Sequence, residues 1–293
     1  MNPTISLPAH PLSSTSSLYV VATPLGNIAD IGLRAIAVLN AVDVVAAEDT
    51  RHSQRLLDAF GIRSRMLAVH QHNEQEAAGR LIGLLEAGQH VALITDAGTP
   101  AVSDPGARLV ARVRAAGHAV VPVPGACAAV AALSVSGFVD GGFRFVGFLP
   151  ARPAARLTAL QALHDEADAM VFYEAPHRIT ECVADLATVF GGERELLIAR
   201  EMTKLHEQIV RMPLAETALW FEADSNRSRG EFVLVVAGKP PGEGLEAEAE
   251  RVLLLLLDEL PLKTAVRLAA EIAGASRKTL YARALELREA HDE

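Results

Sequence analysis

The sequence predicts an α/β fold: two α/β domains in tandem, closed by a small helical, helix-turn-helix-like domain. Three observations carry that expectation. From Leu18 to Ala128, short uncharged apolar runs alternate with stretches of helical period, the pattern of a parallel sheet wrapped by helices. Across residues 129–239 the apolar runs follow one another with fewer helices between them, which suits a mixed, partly antiparallel sheet. Beyond the turn-rich segment Gly238-Lys-Pro-Pro-Gly-Glu-Gly244, read as a linker, residues 240–293 are helical.

Taken in order, residues 1–17 are rich in Pro, Ser and Thr, lack Lys and Arg, and read as a disordered tail, not a signal peptide. Leu18–Ala22 is a strand, Thr23–Asn27 a turn and Asp30–Asn40 an apolar-faced helix. A second strand, Val42–Ala47, ends at Glu48-Asp49, and the helix Thr50–Phe60 is closed by Gly61. Met66–Val69 is the third strand, ending at His70-Gln-His72. Asn73 opens a helix with Glu76 placed for a capping box, and Gly88 closes it. Val91–Ile94 and Ala119–Val123 are the fourth and fifth strands. In the second domain, strands are expected at Phe145–Leu149, Met170–Glu174, Leu196–Ala199, Ile209–Arg211 and Phe232–Ala237, and helices over Ala154–Asp165, His177–Phe190 and Leu214–Phe221.

The last domain reads as Leu245–Asp258, Lys263–Ile272 and Ser276–Arg288, the latter two joined by Ala273-Gly274-Ala275. A short Gly turn between helices, the second capped by Ser276, is compatible with a helix-turn-helix. Arg277, Lys278 and Arg283 on the second helix, with Arg267 beside it, favour nucleic acid. A helical hairpin packed on the body or on a second subunit fits the same pattern.

The most informative stretch follows the fourth strand: Thr95-Asp-Ala-Gly-Thr-Pro-Ala-Val-Ser-Asp-Pro-Gly106. Asp104 stands as N-cap and Pro105 as first residue of a helix running to Ala116. Gly98 allows close backbone approach, and Asp96, Thr99 and Ser103 supply polar groups where ligands bind in parallel sheets. The spacing suits a purely structural strand-to-helix turn equally well.

Composition bounds the partners. With 27 basic and 36 acidic residues and a net charge of -9, the balance does not suggest general polyanion binding; nucleic acid would need clustered cations. Cys127 and Cys182 form no metal spacing and fit a reducing, cytoplasmic setting. The charge-free run Ala119–Val139 contains Pro122, Pro124, Gly125 and Gly137, so a strand, turn and buried helix explain it better than a membrane span. Polar candidates gather at strand ends: Glu48, Asp49, Arg51 and His52; His70 and His72; Asp96 and Thr99; Glu174, His177 and Arg178; Glu201, Lys204, His206 and Glu207. They suit proton transfer or a polar ligand. No dinucleotide fingerprint, P-loop or metal-ligand spacing is present, and no metal is expected.

Four segments resemble a known family: Ala22-Thr-Pro-Leu-Gly-Asn-Ile28, Asp96-Ala-Gly-Thr-Pro-Ala-Val-Ser-Asp-Pro-Gly106, Pro122-Val-Pro-Gly-Ala-Cys-Ala128 and Tyr173-Glu-Ala-Pro-His-Arg178. Their order and spacing, over Leu18 to Gly238, resemble the ribosomal RNA small-subunit methyltransferase I branch of the tetrapyrrole-methylase-like superfamily. The resemblance implies S-adenosylmethionine (SAM) folded into a cleft between the two α/β domains. It places Leu25, Gly98, Thr99, Val102, Ser103, Cys127, Ala128, Tyr173 and Ala175 at the cofactor. The porphyrin-pathway Gly-Asp-Pro signature is replaced here by Ala-Gly-Thr-Pro, which argues against a tetrapyrrole acceptor.

The implied reaction is methyl transfer to the ribose 2′-hydroxyl of a cytidine in the decoding region of 16S ribosomal RNA. The small ribosomal subunit would be the partner, a homodimer the family's working form, and a C-terminal helix-turn-helix a frequent extension. Glu174, Glu201 and Lys204 are the candidates for taking the proton, with Arg178 or Arg51 holding phosphate and Arg277 and Lys278 engaging RNA. Glu174 could instead cap the helix from His177, and Glu201 and Lys204 could form a surface pair. A methyltransferase acting on a tetrapyrrole or protein side chain, and a non-enzymatic RNA-binding factor, are the competing readings.

Overall fold

The computed structural model describes residues 12–70, 73–138, 142–240 and 243–289. The first sheet contains β1 (Ser17–Val21), β2 (Val44–Ala47), β3 (Arg65–Ala68), β4 (Val91–Ile94) and β5 (Ala119–Val123). Its order is β3-β2-β4-β1-β5 and every pairing is parallel. Between these strands run α1 (Leu33–Ala41), α2 (Thr50–Ala59), α3 (Glu74–Glu86) and α4 (Ala107–Ala115).

Side-chain alternation along the strands sorts the helices to two faces. Tyr19, Val21, Val45, Ala47, Ala92 and Ile94 meet α1 and α2 through Val38, Leu39 and Leu57. Leu18, Val44, Ala46, Val91 and Leu93 meet α3 and α4 through Leu81, Leu85, Leu109 and Val113. Covered on both sides, β2 and β4 are buried at every residue, and for that reason they read as continuous apolar runs.

The second sheet contains β6 (Phe143–Phe148), β7 (Ala169–Glu174), β8 (Glu195–Arg200), β9 (Gln208–Pro213) and β10 (Phe232–Val236), in the order β6-β7-β10-β8-β9. Only β6 and β7 are parallel; the other pairs are antiparallel. One face packs on α6 (Pro153–Gln161), α7 (Ile179–Phe190) and α8 (Thr217–Glu222). The other carries Val171, Ala199, Val233 and Val235 against Ala129 and Ala132 of α5 (Ala128–Ser134), and reaches Leu25 of the first loop.

The C-terminal helices α9 (Glu243–Leu257), α10 (Leu262–Ala273) and α11 (Arg277–Glu289) enclose a core of their own around Leu253, Val266, Ala269 and Leu280. Gly274, in the left-handed conformation, turns α10 into α11, and Ser276 Oγ lies 3.5 Å from Thr279 N. Among the described residues no helix is long and apolar enough to cross a membrane.

Four local expectations are corrected. The tail reading fails from Leu12 onward: Leu12 packs on the first core, and Ser16 Oγ donates to Leu85 O at 2.7 Å. Residues 1–11, His72 and residues 241–242 of the linker lie outside the described residues. The linker also begins later than expected, because Lys239 N donates to Glu166 O at 2.7 Å and its Nζ reaches Asp165 at 2.8 Å. No capping box forms at α3: Asn73 Oδ1 accepts from His70 N, and Glu76 pairs with Arg80.

The fourth correction concerns α4. It starts at Ala107 rather than after Asp104, with Gly106 (φ 124°) as N-cap. Its free N–H groups are met in trans, by Glu74 Oε1 accepting from Gly106 N and Leu109 N at 3.1 Å each. Asp104 is thereby released from capping.

Candidate active site

The loops after β1, β2, β4 and β5 all leave the carboxyl edge of the first sheet, where open α/β sheets bind ligands. They meet the second sheet across a cavity of about 490 Å³, within the range of small-molecule sites. Thr23 and Gly98 exchange backbone hydrogen bonds of 2.9 and 3.0 Å, tying the first loop to the loop after β4. Thr99 Oγ1 donates to Ala126 O at 2.9 Å, tying that loop to the one after β5.

Gly98 sits at φ 82°, and a Cβ there would lie 3.3 Å from Leu25 Cδ2. Both of its backbone polar groups are committed to Thr23, so the glycine serves the close approach of two loops. Ala101 (φ 68°) and Ser103 (φ 60°) also adopt the left-handed region, which non-glycine residues enter at a cost. This double turn swings Asp104 away from the helix end and into the cavity wall.

Every residue assigned to the cofactor by resemblance lines this one cavity: Leu25, Gly98, Thr99, Val102, Ser103, Cys127, Ala128, Tyr173 and Ala175. Tyr173 Oη accepts from Ala129 N at 3.1 Å, and burial pushes the phenol up to about 12, so it stays neutral. The charged lining consists of Glu48, Asp96, Asp104, Glu174 and Glu231, with no Lys or Arg among them. Burial, then the Glu48 charge, raise Asp104 from its ordinary 3.8 to about 6; a Thr95 hydroxyl opposes this and Asp96 adds to it. Sequence reading missed Glu231 and Phe148 as lining residues and took Asp104 for a cap.

The proposed proton acceptors lie in different settings. The Glu174 side chain is fully buried, 3.2 Å from Arg178, and accepts from Ala175 N at 2.8 Å. Glu201 (φ 50°) sits outside the cavity, accepting from Glu231 N at 2.8 Å and from Lys204 Nζ at 3.1 Å. Burial acts to raise its carboxyl, but these bonds hold it below the ordinary value. Burial likewise acts to lower the Lys204 ammonium, and pairing with Glu231 (2.7 Å) and Glu201 raises it above the ordinary value. Lys204 is therefore a fixed cation, and its stem covers Gly26 so closely that a Cβ there would collide with it.

The cation set is also redistributed. Arg178 donates to Leu149 O (2.7 Å) and Pro150 O (3.2 Å). Arg277 and Arg267 both pair with Glu271, and Arg283 pairs with Glu250. Arg51 is exposed on α2, away from the cavity. Lys263 and Lys278 have no acidic partner among the described residues and flank Tyr281 in a shallow hollow between α10 and α11. His206 and Glu207 line a separate hollow with Arg200 and Arg229.

Comparison with known proteins decides the family. Residues 17–218 match the family described as Tetrapyrrole (Corrin/Porphyrin) Methylases, and residues 243–288 match the RsmI C-terminal HTH domain. A protein of Pseudomonas aeruginosa named ribosomal RNA small subunit methyltransferase I is 54% identical, over 93% of this chain and 98% of its own. The protein of that name from Escherichia coli O157:H7 is 49% identical, over 94% and 96%. The chain belongs to the ribosomal RNA small subunit methyltransferase I family.

Solved structures agree on the fold of this methyltransferase body. A uroporphyrin-III-C-methyltransferase from Thermus thermophilus aligns with TM-score 0.57 at 23% identity, covering 76% of this chain and 94% of that one. A diphthine synthase aligns with TM-score 0.56 at 16% identity, covering 76% and 90%. The methyltransferase cofactor of this family, SAM, carries a sulfonium, an ammonium and a carboxylate, one net positive charge. The charged groups lining the cavity are carboxylates, of which Glu174 and Glu231 are paired with Arg178 and Lys204; Glu48, Asp96 and Asp104 remain to face the sulfonium and ammonium, a setting that suits SAM better than a phosphate-bearing cofactor.

Proposed function

We propose that this protein transfers a methyl group from SAM to the ribose 2′-hydroxyl of a cytidine in the decoding region of 16S ribosomal RNA, acting in the cytoplasm as a homodimer. The observation that carries the reading is the match to the Pseudomonas aeruginosa protein over 93% of this chain, with the C-terminal helices matching a family domain of their own. When bound, SAM supplies a methyl already activated on sulfur. Leu25, Gly98, Thr99, Val102, Ser103, Cys127, Ala128, Tyr173 and Ala175 would hold it, with the carboxylates facing its positive charge.

The chain's own task is alignment of the hydroxyl and removal of its proton. We assign the proton to Asp104: it lines the cavity, and burial together with the Glu48 charge raises the affinity of its carboxylate for a proton above the ordinary value in the ligand-free protein. Glu174 is sequestered by Arg178, and Lys204 holds its proton; these two position loops instead. RNA phosphate would fall to Arg51 and, on the C-terminal domain, to Lys278 with Lys263.

The test is mass-spectrometric mapping of ribose methylation in 16S RNA from cells lacking this protein. Loss of one 2′-O-methylcytidine, restored by purified protein and SAM on isolated small subunits, is expected. An unchanged methylation map would overturn the reading.

A further inference from the structure

Among the described residues that line the cleft, Phe148 is the one aromatic left open. It lines the cavity yet is 55% exposed, so it stands on the rim, not in the depth. Its direction is set by a β-bulge. Phe145 lies in register with Val171, but Gly147 with Phe172 and Phe148 with Tyr173, one residue more on β6 than on β7. Without the extra residue, Phe148, three positions beyond Phe145, would point to the opposite face of the sheet. The bulge brings both rings to the cleft face, edge-on to Tyr173 at 5.1 and 5.7 Å. Bulges re-aim side chains in this way beside functional sites.

Two further contacts fix the platform. Gly147, at φ 75°, passes so close to the loop after β4 that a Cβ would lie 2.9 Å from Ser103 Oγ. Just beyond Phe148, Arg178 holds the carbonyls of Leu149 and Pro150. The ring is thus exposed on a backbone pinned from both domains.

The occupant follows from the wall chemistry. A cavity of about 490 Å³ has room for a nucleoside and not for a strand, so a single everted nucleotide is the form in which the acceptor hydroxyl can be presented at the rim. Inside, every charged group is acidic and repels phosphate. Contact with the nucleotide at this point has to be made through its uncharged base, for which an open aromatic face is the suitable partner.

We propose that Phe148 is the stacking platform for the base of the acceptor nucleotide, outside the seat of the cofactor. The inference rests on the RNA-methylation reading above and adds a positioning residue to it. Stacking on an aromatic side chain governs nucleotide affinity by roughly 10- to 100-fold.

The experiment compares Phe148→Ala, Phe148→Leu and Phe148→Trp with wild type. The substrate is small subunits purified from cells lacking the protein, and SAM affinity is measured separately by calorimetry. The expected result is a fall of roughly 10- to 100-fold in kcat/KM for subunits in the Ala and Leu variants, with near-wild-type rates in the Trp variant and unchanged SAM affinity. Weakened SAM binding would place Phe148 on the cofactor, and rescue by Leu would reduce it to an apolar cover; either overturns the proposal. Wild-type rates in all three variants would do the same. A wild-type enzyme that fails to methylate the subunits would overturn the functional reading as well, so the two failures are distinguishable.

Discussion

Replacing Asp104 with Asn should make the ligand-free protein more stable at neutral pH and leave it unchanged in acid. Burial and the Glu48 charge raise the folded-state carboxyl from 3.8 to about 6. Below 3.8 the group is protonated whether folded or not, and no penalty exists. Between 3.8 and 6 the folded chain keeps the proton that the unfolded chain has lost. Above 6 both forms are ionised and the fold bears the whole penalty. At about 1.4 kcal/mol per pH unit the ceiling is about 3 kcal/mol; Asp104 is only half-buried, so screening by solvent reduces this to about 1–2 kcal/mol. For a chain of this size that is a rise in Tm of roughly 2–5 °C. Scanning calorimetry of both proteins from pH 4 to 8, without SAM, reads it directly. The gain should be full at pH 7.5, shrink through pH 6 and vanish near pH 4. Equal Tm values at pH 7.5 would refute the electrostatic argument, and a gain persisting at pH 4 would assign it to packing. The same variant should lose turnover, since the proposed base is gone.

Three further outcomes follow from the geometry. Glu74→Ala leaves the Gly106 and Leu109 N–H groups without an acceptor, which should cost about 2–4 kcal/mol and weaken SAM binding through the loop after β4; Glu74→Gln should retain most of both, by denaturant titration and calorimetry. Asp185→Ala removes the main partner of the buried Arg156 guanidinium, whose Nε lies 2.5 Å from that carboxylate, leaving only the longer 3.4 Å contact with Glu181, and should cost about 2–4 kcal/mol in urea unfolding, more than Arg156→Met. A chain ending at Pro240 should bind SAM normally, since α9 to α11 have their own core, yet bind RNA more weakly with a shallower salt dependence, by about 0.7–0.9 per lost phosphate contact. Equal salt slopes would assign the helices to dimerisation or support.

How far the sequence reaches depends on whether the deciding contact is local. β2 and β4 were legible because burial on both faces leaves no polar residue to interrupt them. The Gly274 turn was legible because a left-handed helix end favours that residue. One ion pair could also have been read from i,i+4 spacing on a helix, Arg267 with Glu271, whereas Glu174 and Arg178 meet across a strand end and a turn that helical spacing does not describe. Weighing that spacing would have removed Arg267 from the RNA candidates. Asp104 was misread for a different reason. Its sequence context, one residue before a proline, is that of a helix cap, but Glu74, on another helix, already meets the α4 N–H groups. The acidic character of the cleft is beyond local reading altogether: Glu48, Asp96 and Glu231 follow or precede three different strands, and each alone resembles a solvated strand end. Burial first, then the nearby Glu48 and Asp96 charges, raise the proton affinity of Asp104 where these ends converge. It follows that the cavity is specified mainly by how the two sheets face each other. Motif loops such as the one at Gly98 set the approach distance that makes the convergence possible.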